Sequence, residues 1–336
     1  MKTGKTARKL LHHENAPMLL VLLGLIVLVI LMEGFFVKGG DFSSIAFVRG
    51  LNISNVLAQV SITGVLAIGM TVIMLSGGMD LSCGQMVSFA GCLLSFLLVK
   101  QDWALIPAML VVILSCVAFQ AIAGYMIAKT HLEPFIVTLG FMSIYQGLSY
   151  LITNGREITM GDQLRFVKNV KLSFGESGFY IGIPVLALLV FTVIMWLVLK
   201  YTKFGRWIYQ VGGNENAAYL SGINVKRFKV ILYALNGLFI ALGTIIMLGR
   251  VGAGSPTMGS GKEIDVIAAV VVGGTALSGG KGNMWGTFIG VLLMGIISNA
   301  MNILGVNPYY QYVMKGLLIL ISIYIGYLGS KGKNMR

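Results

Sequence analysis

Long apolar runs, nearly free of charge, recur from one end of this chain to the other, and they limit its folds more than any other feature. A backbone placed in hydrocarbon has no water to bond with, so it must be a helix or part of a closed barrel. Barrel strands would read as alternating segments of roughly ten residues, and none are visible. Ten apolar stretches can be marked: Pro17–Phe36, Val56–Ser76, Gly84–Val99, Trp103–Ala128, Pro134–Thr153, Phe179–Leu199, Val230–Leu248, Ile264–Ala276, Trp285–Leu304 and Tyr309–Gly329. Only 11% of the 336 residues are charged and 57% are hydrophobic, whereas a soluble domain has about a quarter charged. The reading is an all-α polytopic membrane protein with about ten transmembrane helices. A single transmembrane unit covers residues 17–329, between an N-terminal arm at 1–16 and a tail at 330–336. The eighth stretch is shorter than the ~20 residues a span needs. It either spans with its flanks or is broken or re-entrant, which is tolerated only where protein or a water-filled cavity surrounds it.

The distribution of Lys and Arg sets an expected orientation. With both ends cytoplasmic, fifteen of the 25 fall inside, nine outside, and Lys315 lies within the last span. That bias follows the positive-inside rule and accounts for most of the net charge of +13 without nucleic acid. The start does not resemble a cleaved signal, because its apolar run is too long and lacks a small-x-small site. Cys83, Cys92 and Cys116 fall in or beside apolar stretches without ligand spacing and read as packing residues. His12, His13 and His131 suggest no metal site.

Two polar regions interrupt the pattern. The first, residues 200–229, carries Gly213-Asn214-Glu215-Asn216-Ala217-Ala218-Tyr219-Leu220-Ser221-Gly222. Asn214 suits an N-cap and Glu215 the positive end of a helix dipole. Gly222 suits a left-handed end. It is either a surface helix tying two spans together or a docking knob for a partner. The second is the outer loop 154–178, with Arg156, Glu157, Asp162, Arg165, Lys168, Lys171 and Glu176. It either receives a partner through charge pairs or is a solvated connection.

The 44 glycines suit helices that pack closely in lipid, and Gly286-x-x-x-Gly290 and Gly237-x-x-x-Ala241 have the spacing for it. Residues 77–84 and 273–280 share the pattern G-G-x-x-L-S-x-G. Glycine-interrupted pairs of this kind point to an internally duplicated transporter with its path near the breaks. The span count puts both on one side, which an inverted duplication would not. Asp80 is the acid nearest membrane depth. It either caps the helix entering at Leu81-Ser82 from the membrane edge or belongs to a path with Ser82, Thr138 and Asn236. Lys315 is expected to snorkel to the membrane surface. Neither Gly4-Lys5-Thr6 nor Gly259-Ser260-Gly261-Lys262 completes a P-loop, and no nucleophile–base pair is evident. No bound cofactor and no catalytic role are therefore expected.

The chain resembles the ribose/galactose/xylose group of ABC-transporter permeases, with ribose permeases looking most similar. The likeness rests on Gly69-Met70-Thr71-Val72 with Ser76-Gly77-Gly78-Met79-Asp80-Leu81-Ser82, and on Pro134-Phe135-Ile136-Val137-Thr138-Leu139-Gly140. Further matches are Gly213-Asn214-Glu215, Ala217-Ala218, Ser221-Gly222-Ile223-Asn224-Val225, and Glu263-x-Asp265-x-Ile267-Ala268-Ala269-Val270-Val271-Val272-Gly273-Gly274. Gly305-Val306-Asn307-Pro308-Tyr309-Tyr310-Gln311 completes the series. Order and spacing hold from about Asn52 to about Ile325. The resemblance implies a type II-like importer permease of about ten spans in a bacterial cytoplasmic membrane. It implies a second permease chain as partner in a homodimer, separate ATPase subunits that use ATP, and an extracytoplasmic substrate-binding protein. Residues 214–221 would be the coupling helix. A monosaccharide is the implied solute, with a nucleoside or autoinducer sugar as alternatives. An ion-coupled secondary transporter would need buried ionisable sites beyond Asp80, and an integral-membrane enzyme would need clustered acids or histidines.

Overall fold

A computed structural model describes residues 16–130, 132–175 and 178–334; His12, His13 and His131 lie outside the described residues. The apolar stretches form α1 (Ala16–Met32), α2 (Gly50–Leu75), α3 (Cys83–Val99), α4 (Leu105–Thr130) and α5 (Pro134–Thr153). They continue as α7 (Ile183–Tyr201), α10 (Val225–Val251), α11 (Lys262–Val272), α12 (Met284–Ile303) and α13 (Pro308–Asn334). Among the described residues, seven helices are long and apolar enough to cross a membrane: α1 with its π-helical extension to Val37, α2, α4, α5, α7, α10 and α12. α3, at 17 residues, and α11, at 11, are short. Each of the ten apolar stretches contains a helix, and seven of those helices are candidate spans among the described residues.

The short helices owe their length to chain that enters the bundle in non-helical form. After α2 ends, residues 76–82 turn back among the helices and deliver Asp80 to Asn236 and Gln120. Asn236 lies about 16 Å along α10 from its start and Gln120 about 15 Å from the end of α4, at 1.5 Å per residue. Both positions are near the helix middles. From the opposite end, residues 253–261 run down the side of α3. Gly254 packs on Ser95 and Gly91, the Gly259 amide donates to Ser88 Oγ at 3.0 Å, and Gln85 Nε2 donates to Ser260 Oγ at 3.3 Å. The N-termini of α3 and α11 therefore meet inside the bundle, each reached from a different end. These two breaks, rather than the two G-G-x-x-L-S-x-G segments, have opposed directions. Those segments follow α2 and α11 and touch each other at one end of the bundle, where the Gly280 amide donates to the Leu75 carbonyl at 2.9 Å. Both continue a Schellman-type helix end, but offset by one position. Gly77 and Gly78 bond to Met74 and Ile73 carbonyls, and Gly274 and Thr275 to those of Val271 and Val270.

α2 is the central helix, buried along most of its length, and packs against α7, α10, α11 and α12. The expected small-residue contacts form: a Cβ on Gly237 would meet the Cys116 carbonyl of α4, and one on Gly286 or Gly290 would meet the Gly273 or Ala269 carbonyl after or within α11. The three cysteines are free and buried. Phe179, expected to open the sixth apolar helix, instead lies in β3 (Phe179–Gly182), which pairs antiparallel with β2 (Lys171–Phe174). With α6 (Arg165–Asn169) these strands organise the loop after α5, and β1 (Ile158–Thr159) ties it to β4 (Ala253–Gly254) after α10. Near that same end the buried Glu33 carboxylate accepts from the Ala46 and Phe47 amides at 2.6 and 3.0 Å, which fixes the turn between α1 and α2.

Candidate functional site

The segment between α7 and α10 folds as two helices, where the sequence suggested one. α8 (Lys203–Gly213) is capped by Thr202, whose Oγ1 accepts from the Gly205 amide at 3.1 Å. It buries Gly205, Ile208 and Val211 and exposes Lys203, Arg206 and Trp207, the pattern of a helix lying on a surface. α9 (Glu215–Leu220) has the expected cap, with Asn214 Oδ1 accepting from the Ala217 amide at 2.9 Å. Gly222 ends it at φ +86°, a region only glycine occupies freely. Of the residues singled out, Ala218 is buried and anchors α9, whereas Gly213, Asn214, Glu215, Ala217, Leu220, Ser221 and Gly222 are exposed. Leu220 is 83% exposed and Tyr219 69%, so two large side chains project from a short, doubly capped element. Glu215 Oε2 takes a 2.6 Å ion pair from Lys229 on α10, which holds α9 against that helix.

Below α9 three loops meet through backbone. A Cβ on Gly212 would lie 1.8 Å from the Leu75 carbonyl and 2.7 Å from the Gly280 amide, so only glycine permits the approach. Tyr209 Oη adds a 3.0 Å bond to the Gly282 carbonyl. A cavity of about 240 Å³ remains beside this contact, lined in part by Gly78, Asn214, Glu215, Lys229, Tyr233 and Ser278.

Asp80, Ser82, Thr138 and Asn236 do come together, deeper than the edge position that simple capping suggested. Asp80 Oδ1 accepts from the Ser82 amide at 2.8 Å and from Ser82 Oγ at 2.5 Å. Its Oδ2 accepts from Asn236 Nδ2 at 2.7 Å and Gln120 Nε2 at 2.8 Å. The adjacent Leu81 amide donates to Thr138 Oγ1 at 3.2 Å. Every contact offers a donor to the carboxylate, and Asp80, Ser82 and Gln120 have no exposed surface. Asp80 thus holds the amide of Ser82, the residue before α3, within a buried network rather than capping the helix from the membrane edge. Gln120 was missed in the sequence, although a lone amide inside the apolar run Trp103–Ala128 was its signal.

Lys315 does not snorkel. Its Nζ lies 2.6 Å from Asp265 Oδ1, and Lys262 Nζ lies 3.6 Å from Asp265 Oδ2. The pair borders a second cavity, of about 120 Å³, between α2, α11, α12 and α13. An isolated Lys within an apolar run looked like a surface-seeking side chain because its partner lies fifty residues earlier on a helix too short to be read as a span. Among the described residues no group of His, Cys, Asp or Glu is arranged to hold a metal ion.

Residues 52–323 match the family described as branched-chain amino acid transport system / permease component. The chain belongs to that family. The family is one of transport permease components rather than enzymes. The chain is 40% identical to the ribose import permease protein RbsC of Bacillus subtilis (strain 168), over 96% of this chain and 98% of that one. It is 38% identical to the ribose import permease protein of Escherichia coli (strain K12), over 82% and 85%. To the galactose/methyl galactoside import permease protein of Salmonella typhimurium it is 33% identical, over 84% and 88%. No solved structure matches. As a permease component with several apolar helices, the protein is placed in a bacterial plasma membrane.

Proposed function

We propose that this permease is the membrane subunit of an ATP-binding-cassette importer for a monosaccharide of the ribose class. The carrying observation is the likeness to ribose permeases along nearly the whole of both chains. The family description names amino acids, but the sugar permeases among the relatives match over most of their length, so sugar is the solute we adopt. The chain binds no cofactor of its own in this reading. Separate ATPase subunits hydrolyse ATP, an extracytoplasmic binding protein delivers the sugar, and a second copy of the permease completes the pore. Ten membrane crossings with both termini cytoplasmic put α9 inside the cell.

α9 is the element we assign to the ATPase. Its caps and buried Ala218 make it rigid, Tyr219 and Leu220 supply the apolar grip, and the Gly212–Leu75–Gly280 contact passes its movement to α2 and to the α11–α12 loop. Asp80, Ser82, Thr138 and Asn236 we assign to the inner part of the translocation path. Their donors are spent on one another, so they close the path here, and opening it requires this knot to part. The loop 154–178, braced by two small sheets, is the surface we assign to the binding protein.

The test is uptake of labelled ribose by proteoliposomes holding the permease, its ATPase and its binding protein. Uptake should require ATP and all three components. Transport driven by an ion gradient alone, or of labelled leucine in place of ribose, would reverse the assignment. Replacing Leu220→Asp should abolish ATPase association while the permease stays in the membrane. Ala218 is unsuited to that test, because a bulky residue there would disturb the permease itself.

A further inference from the structure

Asp80 and Asp265 both lie at depth in this bundle, alongside the buried Glu263, and the function above uses only Asp80. Asp265, with Lys262 and Lys315, stands beside the cavity between α2, α11, α12 and α13. Its depth follows from the helices that line it. Gln59 is about 14 Å along α2 from its start, Lys315 about 10 Å along α13, and Ser298 about 21 Å along α12 from the opposite end. All three positions converge on the N-terminus of α11, where that short helix begins inside the bundle.

A charge at bilayer depth is costly against lipid and is found facing a bundle interior or a water-filled path. The side chains of Lys315, Asp265 and Lys262 are 18%, 19% and 27% exposed, so they border open space rather than sealed core. Four helices contribute polar groups to one lining: Gln59, Thr63, Asp265, Ser298, Gln311 and Lys315. Toward the outer ends of the same helices the polar lining continues. Gln311 Nε2 donates to Asn302 Oδ1 at 2.7 Å, and Asn52 and Asn299 exchange two amide bonds at 3.1 and 3.0 Å. A short helix that starts at mid-membrane is also where transporters place their solute sites.

We propose that this cavity is a station on the solute path that takes a neutral, polyhydroxylated molecule. The proposal rests on the sugar reading above and adds the residues that hold the sugar. A carboxylate has about four acceptor positions, and the two lysines engage one side of each Asp265 oxygen, which leaves positions for hydroxyl donors. The two lysines hold the Asp265 carboxylate in place, and the amides and hydroxyls of Gln59, Thr63, Ser298 and Gln311 can both donate and accept, as a sugar's hydroxyls do. At about 120 Å³ the space is well above the roughly 10–15 Å³ that one water needs, so a solvated solute group can enter it.

The test uses the complete importer in proteoliposomes, with D-ribose as probe. Asp265→Asn should raise the uptake KM or cut uptake at least tenfold while the ATPase stays assembled. The double variant Asp265→Asn/Lys315→Met removes both partners of the 2.6 Å pair and leaves only Lys262, the most exposed of the three, and it should show the same loss. A Ser298→Cys variant should react with a small cationic methanethiosulfonate above the background of the three buried native cysteines, and ribose should slow that reaction several-fold. Uptake within twofold of wild type for both charge variants, or a Ser298→Cys thiol that is unreactive or unaffected by ribose in a transporting complex, would overturn the station. Failure of the wild-type complex to import ribose would instead overturn the sugar assignment. In that case a reactive thiol at position 298 still supports a water-filled path, and an unreactive one refutes it.

Discussion

Asp80 and Asp265, both deep in the bundle, are built on opposite principles. Asp80 is saturated by four uncharged donors from three residues on three separate stretches of chain and has no exposed surface. Asp265 is held by two ammonium groups and borders a cavity. A carboxylate tied by fixed amides specifies geometry, because each amide loses its partner if the helices shift. One tied by lysines has long, flexible partners that can rearrange around it. The difference separates a latch between helices from a surface that can exchange partners with a solute.

The most severe test of this contrast is to remove each carboxylate in turn. Asp80→Ala strands donors of Ser82, Gln120 and Asn236 in a site without solvent, and each stranded buried group costs about 1–3 kcal/mol. The expected result is a loss of several kcal/mol, read as a large fall in unfolding temperature and in recovered protein. Asp265→Ala leaves Lys262 and Lys315 beside open space, where water can reach them, and should cost far less stability while still cutting transport. Equal destabilisation by the two would erase the distinction.

A smaller effect is expected at the contact that joins the α9 end to the latch. Gly212→Ala would put a methyl group on the Leu75 carbonyl, and an overpacked site of this kind costs about 1–3 kcal/mol. The backbone contact between α8 and α2 must then open. The complex should hydrolyse ATP without importing solute, whereas Gly213→Ala, at a neighbour with open space around it, should leave the two processes coupled. Uptake by Gly212→Ala at the wild-type rate would show that force reaches α2 by another route.

What could be read in the sequence divides along the same line. Apolar runs and local caps were legible because each depends on residues a few positions apart: Asn214 and Ala217, Gly222, and the ends of α4 and α5. The latch was half legible, since Asp80, Ser82, Thr138 and Asn236 stood out as polar residues in apolar surroundings, while the element joining them, Gln120, did not. The Asp265–Lys315 pair was opaque. Its members are far apart in sequence, and the non-helical chain at 253–261, which starts α11 inside the bundle, brings them together. The shortness of the eighth stretch was a visible sign of the break at α11, whereas the apolar run at α3 gave none, because apolar content does not register the point at which chain enters the bundle from one side.

The smallest effect is expected at the third carboxylate pairing, Glu215 with Lys229, which makes it the control for the other two. Glu215's side chain is 51% exposed and Lys229's 20%, and exposed pairs of this kind contribute about 0.2–1 kcal/mol because solvent and salt screen them. Glu215→Gln should therefore shift the unfolding temperature little, and adding salt should narrow the difference between variant and wild type. If α9 works as a rigid lever, its caps and the buried Ala218 carry that rigidity, so ATP-driven uptake by Glu215→Gln should stay within a few-fold of wild type. A collapse of uptake without loss of stability would mean that this surface charge contacts the ATPase directly. The ordering of the three carboxylates would then hold for stability but not for transport.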